Sequence, residues 1–271
     1  MELWEKQASR WRYIGAPLRP DVSDIQTITA WVQQLAQTQQ KPLTVLLLGT
    51  TPEIAHIVWP SHTRLIAVDS SFSMMKSILP SQTPHLKPEP VLGNWCRLPF
   101  ADTQIDLVIG DGCFTVMQSQ YYAEFINEIK RVLNPIGSLI VRFFMRPACS
   151  ESIEIVQQDF VQGKISNFNI LKWRIAMALH GSLVQGVCLK EIWDCWYHHF
   201  KMPHEAVIKK LNWSYEVMDT INNYHNCSVY YTFPDLEEIK TLFHEFFKEE
   251  ECYFPRYPLG ERCPSFLFSP I

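Results

Sequence analysis

Hydrophobic positions between residues 43 and 144 switch repeatedly between a strand-like rhythm and a helical one. Residues 43–48 are apolar almost without interruption, as a strand buried on both faces requires. Gly49 ends the run, and Thr51-Pro52-Glu53 reads as a helix start. Thr51 caps, Pro52 suits the first helical position, and Glu53 favours the positive helix end. Pro60 stops that helix. Residues 64–68 make a second strand with Asp69 at its carboxyl end, and Ser70-Ser71 opens a helix carrying Phe72, Met74, Ile78 and Leu79. Residues 91–93 and 105–109 give a third and a fourth strand, the latter running into Gly110-Asp111-Gly112. An amphipathic helix over 121–133 is stopped by Asn134-Pro135, and 138–144 is a fifth strand.

The flanks complete the pattern. Residues 1–40 form an N-terminal helical segment that includes a helix over 22–37, capped by Asp21 or Ser23. Beyond Met145-Arg146-Pro147, residues 149–230 read as a helical insertion rich in Trp, His and Met, with no strand–helix alternation. A helix over 234–247 and strands over 250–254 and 265–268 then close the chain. The loop between those strands is too short for a helical crossover, so they pair antiparallel. The expected fold is α/β: a doubly wound, mostly parallel seven-stranded sheet with an antiparallel last strand, plus an inserted helical subdomain. Its core spans 41–148 and 231–271, with 1–40 as a possible lid and 149–230 as a substrate or cap region.

At 271 residues and 47% hydrophobic content, the chain has ample material for such a core. A net charge of -4 without a basic stripe gives no reason to expect a nucleic-acid partner. The eight Cys contain no CxxC pair, and Cys113, Cys188 and Cys252 stand among apolar residues, reading as free buried thiols of a reducing compartment. No apolar run approaches the roughly twenty residues that cross a bilayer, and the N-terminus is not signal-like. A cytoplasmic protein with a small-molecule substrate and no membrane partner is expected; its oligomeric state is open.

Gly49 and Asp69 lie at the spacing at which an acid after a second strand meets a nucleotide ribose. Asp69 equally suits a cap for the helix that follows. At the first turn, Pro52 removes an N–H donor and Glu53 adds negative charge, and both oppose a phosphate. That disfavours a nicotinamide dinucleotide and leaves room for a ligand with a cationic tail.

Four segments in order resemble the motifs of the class I S-adenosylmethionine-dependent methyltransferases: LLLGTTPE, LIAVDSSFSMM, VLGNWCRLPFADTQIDLVIGDG and EIKRVLNPIGSLIV. The first retains one glycine, Gly49; Asn94 stands where an acid often follows the third strand, and Ile136-Gly137 replaces a double glycine. The resemblance implies S-adenosyl-L-methionine as cofactor and methyl transfer to a small or medium organic acceptor. It implies cofactor contacts from Gly49, Thr50, Asp69, Ser70, Met74, Asn94, Trp95, Asp111 and Gly112, with Asn94 at the adenine edge and Asp111 near the amino group or the substrate. Met74 and Trp95 suit core packing as well, and Asp111 a turn. Phe114 would wall the cavity, and Arg19 would reach the cofactor carboxylate or serve as a surface charge.

Asp111, Asp194, His198 and His199 are the candidates for a general base, although an already nucleophilic acceptor needs none. Cys195, His199 and His204 lack a second tight pair and are not read as a metal site. The alternative function is a catalytically inactive relative acting as a binding or regulatory partner, which predicts an exposed apolar patch on the Trp- and Tyr-rich insertion.

Overall fold

The computed structural model describes residues 3–202 and 204–271. Its centre is one sheet of β1 (Thr44–Leu48), β2 (Arg64–Asp69), β3 (Glu89–Leu92), β4 (Ile105–Asp111), β5 (Leu133–Arg142), β6 (Phe247–Tyr253) and β7 (Ser265–Pro270). The spatial order is β3-β2-β1-β4-β5-β7-β6. Strands β1 to β5 are parallel, and β7 runs antiparallel to both β5 and β6, so the last strand alone is reversed. This is the expected seven-stranded α/β sheet.

The unbroken apolar runs pack on both faces because successive side chains point opposite ways. Val45, Leu47, Leu65 and Ala67 meet Ile28, Trp31 and Val32 of α2 (Val22–Gln39). Leu46, Leu48, Ile66 and Val68 share the other core with Phe125, Ile126 and Ile129 of α5 (Tyr122–Val132) and Ile239 and Phe243 of α11 (Leu236–Phe243). Asp21 caps α2 through a capping box with Asp24, which decides between Asp21 and Ser23.

Several boundaries differ from the sequence reading. The helix after β1, α3, covers only Pro52–Ala55, because Trp59 turns back and its Nε1 donates to the Ala55 carbonyl at 3.1 Å. Strand β4 continues through Gly110 to Asp111. Strand β5 begins at Leu133, so the segment read as a turn is extended and enters the sheet through a register shift opposite Ile105 and Leu107. Gly137 is required there: a Cβ would stand 2.7 Å from the Asp106 carbonyl. Helix α11 stops at Phe243, which frees Phe247 to open β6.

The insertion is helical, with α6 (Ile153–Val161), α7 (Phe168–Leu179), α8 (Leu189–Cys195), a π-helical run Trp196–Lys201, α9 (Glu205–Leu211) and α10 (Tyr215–Asp219). A two-residue antiparallel pairing, Val187↔Tyr231, closes its base. Its tryptophans pack inward: Trp173 and Trp196 are buried, and Trp193 and Trp213 lie against the same apolar cluster. At the other end, α1 (Leu3–Arg10) lies against α4 (Phe72–Ser77) and the turn Thr220–Tyr224. No helix among the described residues is long and apolar enough to cross a membrane.

One buried cation joins these parts. Arg142, at the end of β5, has no solvent exposure; its guanidinium donates to Asp111 Oδ1 at 2.6 Å and to the Pro17 carbonyl, and lies 3.5 Å from Asp24 Oδ2. Tyr257 completes the cluster by donating to Asp24 Oδ2 at 2.8 Å. Burial opposes charge on Arg142, yet Asp111, with Tyr257 and Asp24 behind it, holds it protonated above its ordinary range. Removing one member of a buried ion cluster strands the others. Arg142→Met is therefore expected to lower unfolding free energy by about 3–5 kcal/mol in urea titrations, with Asp24→Asn in the same chain recovering part of the loss.

Candidate active site

The carboxyl ends of β1, β2 and β4 open into a cavity roofed by α1 and closed at its far side by the insertion. Its volume is about 120 Å³, and only with the adjoining cavity of about 800 Å³ does the space reach the roughly 300–1,000 Å³ common for small-molecule sites. Gly49, Thr50, Thr51, Asp69, Asp111 and Gly112 line it from the sheet edge, Lys172, Trp173, Tyr224 and Tyr231 from the insertion and the segment after it, and Trp4, Gln7 and Trp11 from the N-terminal segment. A second cavity adjoins it, bordered by Ser70, Gly93, Asn94 and Cys96, and the two share Trp4, Asp69, Trp95 and Val116 as walls.

Each wall has a local cause. Gly49 takes φ +98°, a conformation side chains resist, and so turns the chain sharply out of β1. A Cβ there would stand 3.7 Å from the Trp95 ring and 3.9 Å from Asp69 Oδ2, which places all three residues around one space. Asp69 Oδ1 accepts the Ser71 N–H at 2.7 Å, while Ser71 itself caps α4. One oxygen of Asp69 is therefore used in the turn, and the other lies toward Gly49. Burial raises the Asp69 carboxyl above its ordinary range, against the pull of the Ser71 and Ser70 N–H groups.

Trp95 gives its Nε1 proton to the Val68 carbonyl at 2.8 Å and stacks on Phe125, fixing its ring as a partition between the two cavities. Asn94 Oδ1 accepts from Cys96 N–H at 2.9 Å, and Met74 is buried at the cavity wall. Gly112, at φ +62°, allows Phe144 to close in, since a Cβ would lie 2.6 Å from that ring.

Other residues fall elsewhere than expected. Thr51 makes no cap; its hydroxyl donates to Asp111 Oδ2 at 3.2 Å. Asp111 lines the cavity with Arg142 on one oxygen and Thr51 on the other, so its charge is already matched and it is not a free base. Arg19 is not a wall of either cavity: it pairs with Glu53 at 2.5 Å and lies over the Trp11 ring. Glu53 is accordingly neutralised, and the case against phosphate rests on Pro52 and the scarcity of glycines. Phe114 belongs to the core beside Tyr122, Phe125 and Phe143 rather than to the cavity. His198 and His199 are exposed on the π-helical run and border neither cavity, because Trp196 and Phe200 take the inward positions of that run. Asp194 pairs with Lys190 at the surface. Cys113 is buried as expected, whereas Cys188 and Cys252 are partly exposed.

Residues 48–141 match a family model described as a methyltransferase domain. The likeness is to a methyltransferase domain and runs from the end of β1 to the end of β5. The chain shares its fold with a Pyrococcus horikoshii protein at 12% identity over 93% of each chain, TM-score 0.51. The N-methyltransferase NodS of Bradyrhizobium japonicum, solved with S-adenosyl-L-homocysteine, aligns at 10% identity over 97% of each chain, TM-score 0.52. A Rhodobacter sphaeroides protein named for Zn-dependent alcohol dehydrogenases aligns at 10% identity over 98% of each chain, TM-score 0.53. At such identities the likeness carries the fold alone. A comparison with curated protein sequences finds no match.

Sequence reasoning missed Arg142 and Lys172, though both leave a trace: each is a charge inside an apolar stretch, LIVRFF and NILKWRIA. Lys172 is fully buried, and burial alone pulls its ammonium down to about 7. Between that value and the ordinary 10.5, the unfolded chain binds a proton at Lys172 that the folded chain does not, so this residue makes stability rise with pH across the window. Urea unfolding of the unaltered protein and of Lys172→Met is expected to diverge by up to about 1.4 kcal/mol per pH unit above pH 7. Parallel stability–pH curves would refute it.

Proposed function

We propose that this protein moves the methyl group of S-adenosylmethionine to a small organic acceptor held between the sheet edge and the insertion. The observation that supports this reading is that one cavity is lined both by residues at the carboxyl ends of the strands and by insertion residues. The lining also fits a polar ligand. Among the described residues, Thr50 Oγ1, Thr115 Oγ1, Trp11 Nε1 and Trp173 Nε1 are buried polar atoms with no hydrogen-bond partner, and all four residues border this cavity. Folded proteins rarely bury such atoms unpaired, and a bound ligand is one way to satisfy them.

Bound S-adenosylmethionine would supply an electrophilic methyl group on a sulfonium centre. The residues act by placement and by exclusion of water. Asp69, through the oxygen not used by the turn, would accept from ribose hydroxyls. Ser70, Asn94 and Trp95 would border the base, and Gly49, Thr50, Thr51 and Gly112 would flank the amino-acid tail. Direct displacement needs aligned partners in a dry site, and the roof of Trp4 and Trp11 with the Phe144 wall provides the shelter.

The alternative of a non-catalytic docking protein needs an exposed apolar patch on the insertion; its tryptophans pack inward and supply none of it, while Tyr215 and Tyr230 remain exposed. Calorimetric titration with S-adenosyl-L-homocysteine is expected to show binding that Asp69→Ala weakens by about tenfold or more, since charged hydrogen bonds contribute about 1.5–3 kcal/mol. An absence of binding to the unaltered protein at roughly millimolar ligand would remove this reading.

A further inference from the structure

The cavity is lined by a buried lysine with no counter-charge. Lys172 is 1% exposed, and its Nζ donates to Thr220 Oγ1 at 3.1 Å. Thr220 gives its own hydroxyl proton to the Val217 carbonyl at 2.7 Å, so toward Lys172 it can only accept. One N–H of Lys172 is thereby used, and no other hydrogen-bond partner for Nζ occurs among the described residues. The acids that line the cavity, Asp69 and Asp111, form no ion pair with Lys172, and Asp111 is matched by Arg142.

The titratable groups facing Lys172 are phenols. Its Nζ lies 5.6 Å from the centroid of Tyr224, which stands edge-on to Tyr231. Burial raises both phenols, Tyr231 to about 12 and Tyr224 well above its ordinary value, so neither is an anion near neutrality. An unpaired ammonium is costly in such surroundings, and burial brings the free amine within reach of physiological pH.

The neighbouring residue points to the same chemistry. Trp173 Nε1, which can only donate, is buried without an acceptor and borders the same cavity. The ring of Trp173 packs edge-on to both Phe144 and Tyr231, at 5.2 Å and 5.7 Å, and Tyr231 in turn meets Tyr224 beside Lys172, so these aromatics form a continuous wall of the cavity. Ligand complementary to these walls is flat, and it presents an acceptor oxygen to two donors.

We propose that the methyl acceptor is a planar ring compound bearing a weakly acidic hydroxyl, and that Lys172, as the free amine, takes that hydroxyl's proton while Trp173 Nε1 donates to the resulting oxyanion. This rests on the methyl-transfer reading above. In the first step the O–H bond breaks, its electron pair stays on oxygen, and a new N–H bond forms at Nζ. The oxygen pair then forms the bond to the methyl carbon as that carbon's bond to the donor sulfur breaks, with its pair remaining on sulfur. The proton stays on Lys172 and passes to water when the site opens.

The test uses the full chain, with 4-nitrophenol as probe because its protonated and ionised forms differ in colour. At a mildly acidic pH where the free probe is protonated, the fraction bound to the S-adenosyl-L-homocysteine complex is expected to absorb as the anion. Its acid dissociation constant should rise about tenfold or more, an effect lost in Lys172→Met. That variant is expected to bind S-adenosyl-L-homocysteine within about threefold of the original, because it is remote from the positions assigned to the cofactor.

Bound probe that ionises as it does free in solution would overturn the proposal on the unaltered protein alone, as would an equal shift in Lys172→Met. Failure of the probe to bind while S-adenosyl-L-homocysteine binds would overturn the acceptor class and leave methyl transfer standing. Failure of S-adenosyl-L-homocysteine itself would remove both.

Discussion

Arg142 is held between two carboxylates where no water reaches it, and the architecture of the site depends on that contact. A guanidinium in such a place needs its charges and hydrogen bonds supplied by the protein, and they come from four separate stretches of chain. Asp111 brings in the end of β4, Asp24 brings α2, the carbonyls of Pro17 and Arg19 bring the N-terminal connection, and Tyr257 brings the loop before β7. The floor of the cavity and the segment leading to its roof are thus fixed by one side chain. The Arg142 guanidinium also lies over the Phe144 ring, 4.9 Å from its centroid, extending this order into the wall shared with the insertion.

The legible part of the sequence was the part governed by short-range patterning. Strands β1, β2, β4 and β5 announce themselves as apolar runs because both faces are covered, and α2 and α5 by their amphipathic period. Asp21, Ser71 and Asp235 cap helices where their residue types suggest. Long-range contacts decided what was not legible. The end of α3 is set by Trp59 folding back, and the fate of Thr51 by an acid sixty positions along the chain. His198 and His199 resembled catalytic candidates by residue type alone, and the wide turn of the π-helical run leaves them facing solvent. Arg142 and Lys172 carried the reverse lesson: a charge inside an apolar stretch signals a partner, or a ligand, that local pattern cannot name.

The sparse glycines of the first motif also have a structural account. Only Gly49 takes a positive φ at that turn; Thr50 and Thr51 are accommodated with their side chains buried. Thr50 presents an unpaired hydroxyl to the cavity and Thr51 secures Asp111, so the positions that elsewhere provide open backbone provide polar side chains here. Glu53, an apparent obstacle at the helix start, is absorbed by Arg19. The turn is an alternative construction of the same edge.

The placement of α1 ties the two cavities together. Trp4 borders both, the one bounded by Asn94 and the one lined by Lys172, so a single short helix is a common wall. That helix packs on α4 at one side and on the Thr220–Tyr224 turn at the other, where Arg10 pairs with Asp219 at 2.8 Å. A displacement of either support would move the same wall in both spaces at once.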